Sequence, residues 1–286
     1  MMSSSEDVVE EENNNALWRL FRNAGAFSGG VCRDVVERHV LPRLNRTDVK
    51  FLHGVNTETR KLIKRSSRAG DLKKAFNIGE MSSISTLEFA WENRSLWPSR
   101  WYDETDFCWR VAQTNKLELL KWIREEKECK WDDRTIFAAV RQGNLEIVKY
   151  CVAKKCPIDE YTCAWAAGKG NLEILKYLRE EGKAPWDWKT AAWAAETGHL
   201  HILEYLVERK FDKYSEKACE VAAINGHLDC LKYLHETAKA PLNSRAVRKA
   251  HKKNQPECVQ YCLDNNCPLP LGWSYAIGEL RVPDHS

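Results

Sequence analysis

Nowhere in the 286-residue chain do 18 apolar residues run together, so no segment is expected to span a bilayer. Charge of one sign is also lacking. Forty-four Lys and Arg against 41 Asp and Glu leave a formal net charge of +3, too balanced for nucleic-acid affinity driven by bulk charge. A secretory signal is not expected, because the chain opens Met1-Met2-Ser3-Ser4-Ser5-Glu6-Asp7 and continues through Glu10-Glu11-Glu12 into Asn13-Asn14-Asn15, with no basic n-region and no apolar core. The same acidity argues against an organelle transit peptide, and residues 1–30 read as a largely disordered acidic and polar tail. No Cys-x-x-Cys pair occurs, and eleven cysteines scattered without a tight spacing framework suit a reducing cytoplasm or nucleus better than a disulfide scaffold.

Catalytic signatures are missing as well. Gly168-Lys169-Gly170 lacks the Gly-x-x-x-x-Gly-Lys-Ser/Thr spacing of a phosphate loop, and no nucleophile elbow, paired catalytic carboxylate or dinucleotide fingerprint is present. These absences point to a chain that is not an enzyme and that needs no cofactor, metal or small-molecule substrate. What the chain does have is a globular balance of 43% hydrophobic and 30% charged residues, with 12 Trp and 11 Cys whose placement is periodic.

The period emerges when the chain is laid on itself. Asn144-Leu145-Glu146-Ile147-Val148-Lys149-Tyr150 recurs from Asn171 to Tyr177, from His199 to Tyr205 and from His227 to Tyr233. The leading Leu residues are 27, 28 and 28 apart. An earlier copy begins at Leu117, with Trp122 in the Tyr position, and a later one ends at Tyr261, so six modules are readable. Each carries a preceding helical segment whose central column, Val111, Ala139, Ala166, Ala194, Ala222 and Ala250, is nearly pure Ala. Small side chains there let a neighbouring helix approach closely. Asp132, Asp159, Asp187, Ser215 and Asn243 share a column of helix N-cap types. Gly143, Gly170, Gly198 and Gly226 close the first helix in the left-handed conformation, with Asn115 and Asn254 in the matching outer places. The second helix is apolar over most of its circumference, leaving Lys149, Lys176 and Lys232 for water. A unit this short cannot bury two helices alone, so stability must come from stacking neighbours. The pattern predicts an all-α, elongated helical-hairpin repeat solenoid with a small helical N-terminal cap.

Ala194-Ala195-Glu196-Thr197-Gly198-His199 and the run from Gly226 to Leu234 resemble the central part of an ankyrin repeat, over roughly residues 100 to 270. The period is about five residues shorter than the 33 usual in that family, and the Thr-Pro-Leu-His opening is missing. A trimmed connector such as Ala184-Pro185-Trp186-Asp187 should therefore replace the projecting β-hairpin, leaving little or no strand. Residues 31–66 fall outside the register. Their apolar spacing suits two short helices broken at Pro42 and capped again at Thr47 or Asp48, and the run from Val35 to Arg60 is similar to an F-box, which docks on an Skp-type adaptor of a ubiquitin ligase. That resemblance implies adaptor docking through Val36, Val40, Leu44, Leu52 and Val55. The other reading is a plain helical cap on the solenoid. Residues 67–100 hold a degenerate module and a Trp-rich stretch with Trp91 and Trp97, residues 101–272 the repeats, and residues 273–286 a C-terminal tail.

The cysteines fit the columns. Cys151 and Cys262 stand where Leu178 and Leu206 stand, Cys230 and Cys258 replace Ile174, and Cys129, Cys156 and Cys267 share the connector slot of Ala184 and Ala240. They read as buried small hydrophobes rather than metal ligands. His199 and His227 fill the turn column of Asn144 and Asn171, which points to turn hydrogen bonding. Variable positions are the ones free to meet a partner: Arg110, Trp165, Trp193 and Lys249 just before the Ala column, and Trp131, Trp186 and Tyr214 in the connectors. Aromatics with a polar handle are favoured recognition anchors, although the same Trp residues could instead stack between repeats. The ankyrin resemblance implies a protein or peptide ligand on the concave face. The F-box resemblance implies, as the alternative, the substrate-recognition subunit of an SCF-type ubiquitin ligase.

Overall fold

The computed structural model describes residues 36–283, apart from positions 56, 82, 95–96 and 99–102. The expected tail at residues 1–30 lies outside this range. The chain divides into two compact units, residues 1–103 and 104–286.

In the first unit a single π-helical turn, Val36–Val40, passes into a 3-10 turn, Leu41–Arg43, where Pro42 cannot continue a helix. Helices α1 (Arg46–Val55) and α2 (Thr57–Arg65) follow. The cap at the start of α1 is Asn45, whose Oδ1 accepts from the Asp48 amide at 2.9 Å; neither Thr47 nor Asp48 takes that place. Leu41, Val49, Leu52 and Ile63 form a small core, with Val40, Leu44, Leu62 and Leu72 packed against it. Arg68 clamps the turn by donating to the carbonyls of Leu41 and Leu44, and its Nε pairs with Asp71. Hydrogen bonds from Lys74 and Arg68 hold the Asp71 carboxyl below its ordinary range. Helix α3 (Ile84–Glu92) adds edge contacts from Phe89 to Phe51 and Phe76. Trp97 donates to the Ala90 carbonyl while Arg94 stacks on both Trp91 and Trp97.

The second unit is an all-α solenoid of six helical hairpins. The first helices are α4 (Glu104–Gln113), α6 (Asp133–Gln142), α8 (Glu160–Gly168), α10 (Trp188–Glu196), α12 (Glu216–Asn225) and α14 (Ser244–Lys252). Their partners are α5 (Leu117–Glu125), α7 (Leu145–Ala153), α9 (Leu172–Glu180), α11 (Leu200–Glu208), α13 (Leu228–Glu236) and α15 (Pro256–Asp264). Each first helix packs on its own partner and on the first helix of the next module. The column from Val111 to Ala250 is wholly buried along this seam. Asp132, Asp159, Asp187 and Asn243 cap their helices through side-chain oxygens, whereas Ser215 makes no cap bond and its Oγ is buried without a partner. The turn glycines have φ between +68° and +77°, and Asn115 and Asn254 reach +62° and +55°. His227 hydrogen-bonds through Nε2 to the Glu196 carbonyl, one module back.

A second, longer rhythm overlies the first. Tyr150, Tyr205 and Tyr261 donate to Glu125, Glu180 and Glu236 on the preceding second helix, at 3.3, 3.4 and 3.0 Å. Lys154 and Arg209 pair with the first two of these carboxylates. The connectors alternate too. The amides of Cys129, Ala184 and Ala240 close on carbonyls six residues back, and those of Cys156, Phe211 and Cys267 on carbonyls five back. Successive modules are therefore of two kinds, and the Glu residues recur 55 and 56 positions apart.

All ten described cysteines are free and buried. Cys129, Cys156 and Cys267 donate to the carbonyls of Glu104, Asp132 and Asn243 near the start of their own first helices. The expected C-terminal tail instead carries a hairpin, β1 (Ser274–Ala276) and β2 (Glu279–Arg281), antiparallel with Tyr275 opposite Leu280. Ile277 and Gly278 turn it with positive φ, the conformation of a two-residue hairpin loop. Ahead of it Trp273 is buried and meets the His251 ring edge-on at 5.1 Å. No described helix is long and apolar enough to cross a membrane.

Candidate functional site

Seven side chains stand out in the sequence of the repeats, and the structure sorts them by what they touch. The connector aromatics serve the fold. Arg124 places its guanidinium 4.2 Å from the Trp131 ring centroid and donates to the Cys129 carbonyl. Arg179 repeats the arrangement with Trp186 at 4.0 Å and the Ala184 carbonyl. Trp131 also meets Tyr150, and Trp186 meets Phe211, both edge-on. Tyr214 packs on Phe211 at 4.9 Å, and burial raises its pKa. Each of these rings is half-buried and in contact with side chains of its own or the adjoining hairpin.

Arg110 lies with its guanidinium 5.1 Å from the Trp109 ring. Lys249 is tied to Glu220, a carboxylate only 2% exposed. Glu220 also accepts from Asn243 at 3.0 Å, and Lys217 and Arg245 approach its oxygens at 3.6 and 4.0 Å. Burial opposes its ionisation, but the Asn243 and Lys249 hydrogen bonds and the nearby cations hold its pKa below the ordinary value. A buried carboxylate needs such partners to remain charged. Of the F-box-like positions, Leu52, Val40 and Leu44 belong to or lean on the core of the first unit, and the side chains of Val36 and Val55 lie outside the described part.

Trp165 and Trp193 are different. They sit one helix apart in the same column of α8 and α10, edge to face, with ring centroids 5.7 Å apart and planes at 77°. Phe137 flanks Trp165 at 5.3 Å and Tyr161 flanks Trp193 at 6.3 Å. Between them opens a pocket of about 260 Å³, lined by Trp165, Gly168, Lys169, Trp193, Glu196 and Thr197. Gly168 makes the room. A Cβ there would come within 3.2 Å of the Trp193 Cβ, and the equivalent positions on the later first helices hold the larger Glu196, Ile224 and Lys252. Lys169 hovers 5.6 Å from the Trp165 centroid, and Thr197 Oγ1 is spent on the Trp193 carbonyl at 2.8 Å. Trp165 Nε1 is buried and has no hydrogen-bond partner among the described residues.

Sequence reasoning found the two Trp residues and missed the rest of the lining. It also missed the neighbouring exposed rings of Tyr161 and Trp188, at 43% and 42%. One signal was available: a glycine at the last position of the helix, a turn after Trp165, where the other modules carry a side chain. Among the described residues no three His, Cys, Asp or Glu side chains are grouped so as to hold a metal ion.

Residues 163–246, which span this pocket and the following module, match the family model for ankyrin repeats in three copies. No curated protein matches the chain. Repeats of that family imply a role in protein–protein interaction.

Proposed function

We propose that this ankyrin-like stack is a non-catalytic scaffold that holds a protein or peptide segment along its concave face, the side lined by the first helices. A partner side chain sits between Trp165 and Trp193. The pocket carries the reading. At about 260 Å³ it is smaller than the ~300–1,000 Å³ of small-molecule sites and suits one large side chain. Its walls are the residue type that dominates binding hot spots. The lining offers one amine, one carboxylate and one hydroxyl already spent on backbone, an arrangement without a nucleophile held by a base. Docking of an Skp-type adaptor on residues 31–66 draws no comparable support, because Leu52 is buried and Val40 and Leu44 lean on the same cluster.

The test is affinity capture from native extract with the wild-type chain and a Trp165→Ala/Trp193→Ala variant whose helicity is checked by circular dichroism. Proteins retained by the wild type should be lost from the variant. An unchanged set of retained proteins would sink the reading.

A further inference from the structure

The helix columns that line the Trp165 pocket change character along the stack. In the column of Trp165 and Trp193 the next residues are Val221 and Lys249. One turn further on, Gly168-Lys169 and Glu196-Thr197 are followed by Ile224-Asn225 and then Lys252-Lys253. Aromatic walls thus give way to a short apolar stretch on α12 and then to cations on α14. That last helix carries Arg245, Arg248, Lys249, His251 and Lys252, with Lys253 as its C-cap, and no acidic residue. Glu220 pairs with Lys249 and reaches Arg245 at its limit. Arg248, Lys252 and Lys253 are exposed and have no acidic partner among the described residues.

Taking Trp165/Trp193 binding as given, we infer that the partner is a polypeptide that seats one large apolar side chain in the Trp165–Trp193 pocket and lays acidic residues on Arg248, Lys252 and Lys253. Charge complementarity selects the acids, since three unneutralised cations within a turn and a half attract carboxylates and repel a basic segment. Helix spacing sets the interval. Two steps of about 8–10 Å separate α10 from α14, and an extended chain advances about 3.3 Å per residue. The anchor and the acids therefore stand about five or six residues apart. A nucleic acid fits these columns less well, because a phosphate backbone asks for cations along its whole track. Here Glu196 interrupts the track, Lys169 stands alone at the pocket end, and Arg248, Lys252 and Lys253 cluster at the other.

The experiment pans a phage-displayed library of random 12-residue peptides on the full chain, then measures a synthetic copy of the enriched peptide by fluorescence anisotropy. Three exposed-site variants accompany the wild type: Arg248→Ala/Lys252→Ala/Lys253→Ala, Lys252→Glu/Lys253→Glu, and Thr197→Trp, which fills the pocket mouth without removing a buried side chain. The expected peptides pair a large apolar residue with two or more Asp or Glu at the stated interval. Their affinity should fall at least tenfold in both charge variants and in Thr197→Trp, and weaken as salt rises from 50 to 300 mM. Peptides without acids, or equal binding to the charge variants, would overturn this inference and leave the Trp pocket reading standing. Binding that survives Thr197→Trp, or no enrichment at all, would remove both. A thymidylate dodecamer bound as tightly as the peptide, and lost in the same charge variants, would overturn the assignment to polypeptide.

Discussion

Burial governs the chemistry of the cysteines. Desolvation pushes the thiols of Cys163 and Cys219 up to about 12 and those of Cys230 and Cys258 to about 11. Because these folded values lie above the unfolded value of about 9, the thiols contribute nothing to pH dependence below that point. Above it the unfolded chain sheds protons that the folded chain keeps, so stability falls as pH rises. The urea midpoint should stay level to about pH 8.5 and drop steadily between pH 9 and 10.5, and a flat profile through that window would contradict the burial of these groups. In the native chain at pH 7.5 the ten described thiols should resist a small maleimide and all react in denaturant, as peptide mapping would show. For seven of them that structural role was legible in the sequence, because they stand in columns otherwise filled by Leu, Ile, Ala or Phe. Glu220 was not legible. Nothing in its own column marks it, and its burial depends on Asn243, Lys249 and Lys217 converging from three places in the chain.

At the level of helices and turns, residue type and geometry part company at one cap. Asp132 and Asp187 accept from amides two residues on at 3.1 and 3.0 Å, whereas Ser215, in the same column, accepts nothing. Loss of a working cap costs about 1 kcal/mol. Asp132→Ala and Asp187→Ala should each lower stability by about that amount in chemical denaturation, while Ser215→Ala should be neutral or slightly stabilising because it removes a buried unpartnered hydroxyl. Equal losses at all three positions would show that the cap column acts by residue type alone. Helix boundaries, turn glycines and the Ala seam could be read from sequence because each is a local requirement repeated six times. The pocket could not be read that way. It exists because two Trp rings on different helices meet edge to face and because one module alone has a glycine where the others have a side chain.

Across the whole repeat unit, the main contacts of each hairpin are with its neighbours, so stability is close to a sum of module and interface terms. Those interface terms are not uniform. The bonds from Tyr150 to Glu125, Tyr205 to Glu180 and Tyr261 to Glu236 occur at every second junction, and the two connector closures alternate in step. A search for one averaged repeat hides this, because it lays both kinds of module on the same template. Excising one module, residues 160–187, should leave Tyr205 facing Ala153 instead of Glu180. Excising two, residues 160–215, should bring like junctions together again. The urea midpoint should therefore fall by more for the single excision than by half the fall for the double, and strict proportionality would show that the alternation is energetically silent. Such an array behaves like a two-colour chain of beads: lengthening or shortening it by pairs keeps the colours in phase, whereas an odd step leaves a permanent fault line at the splice.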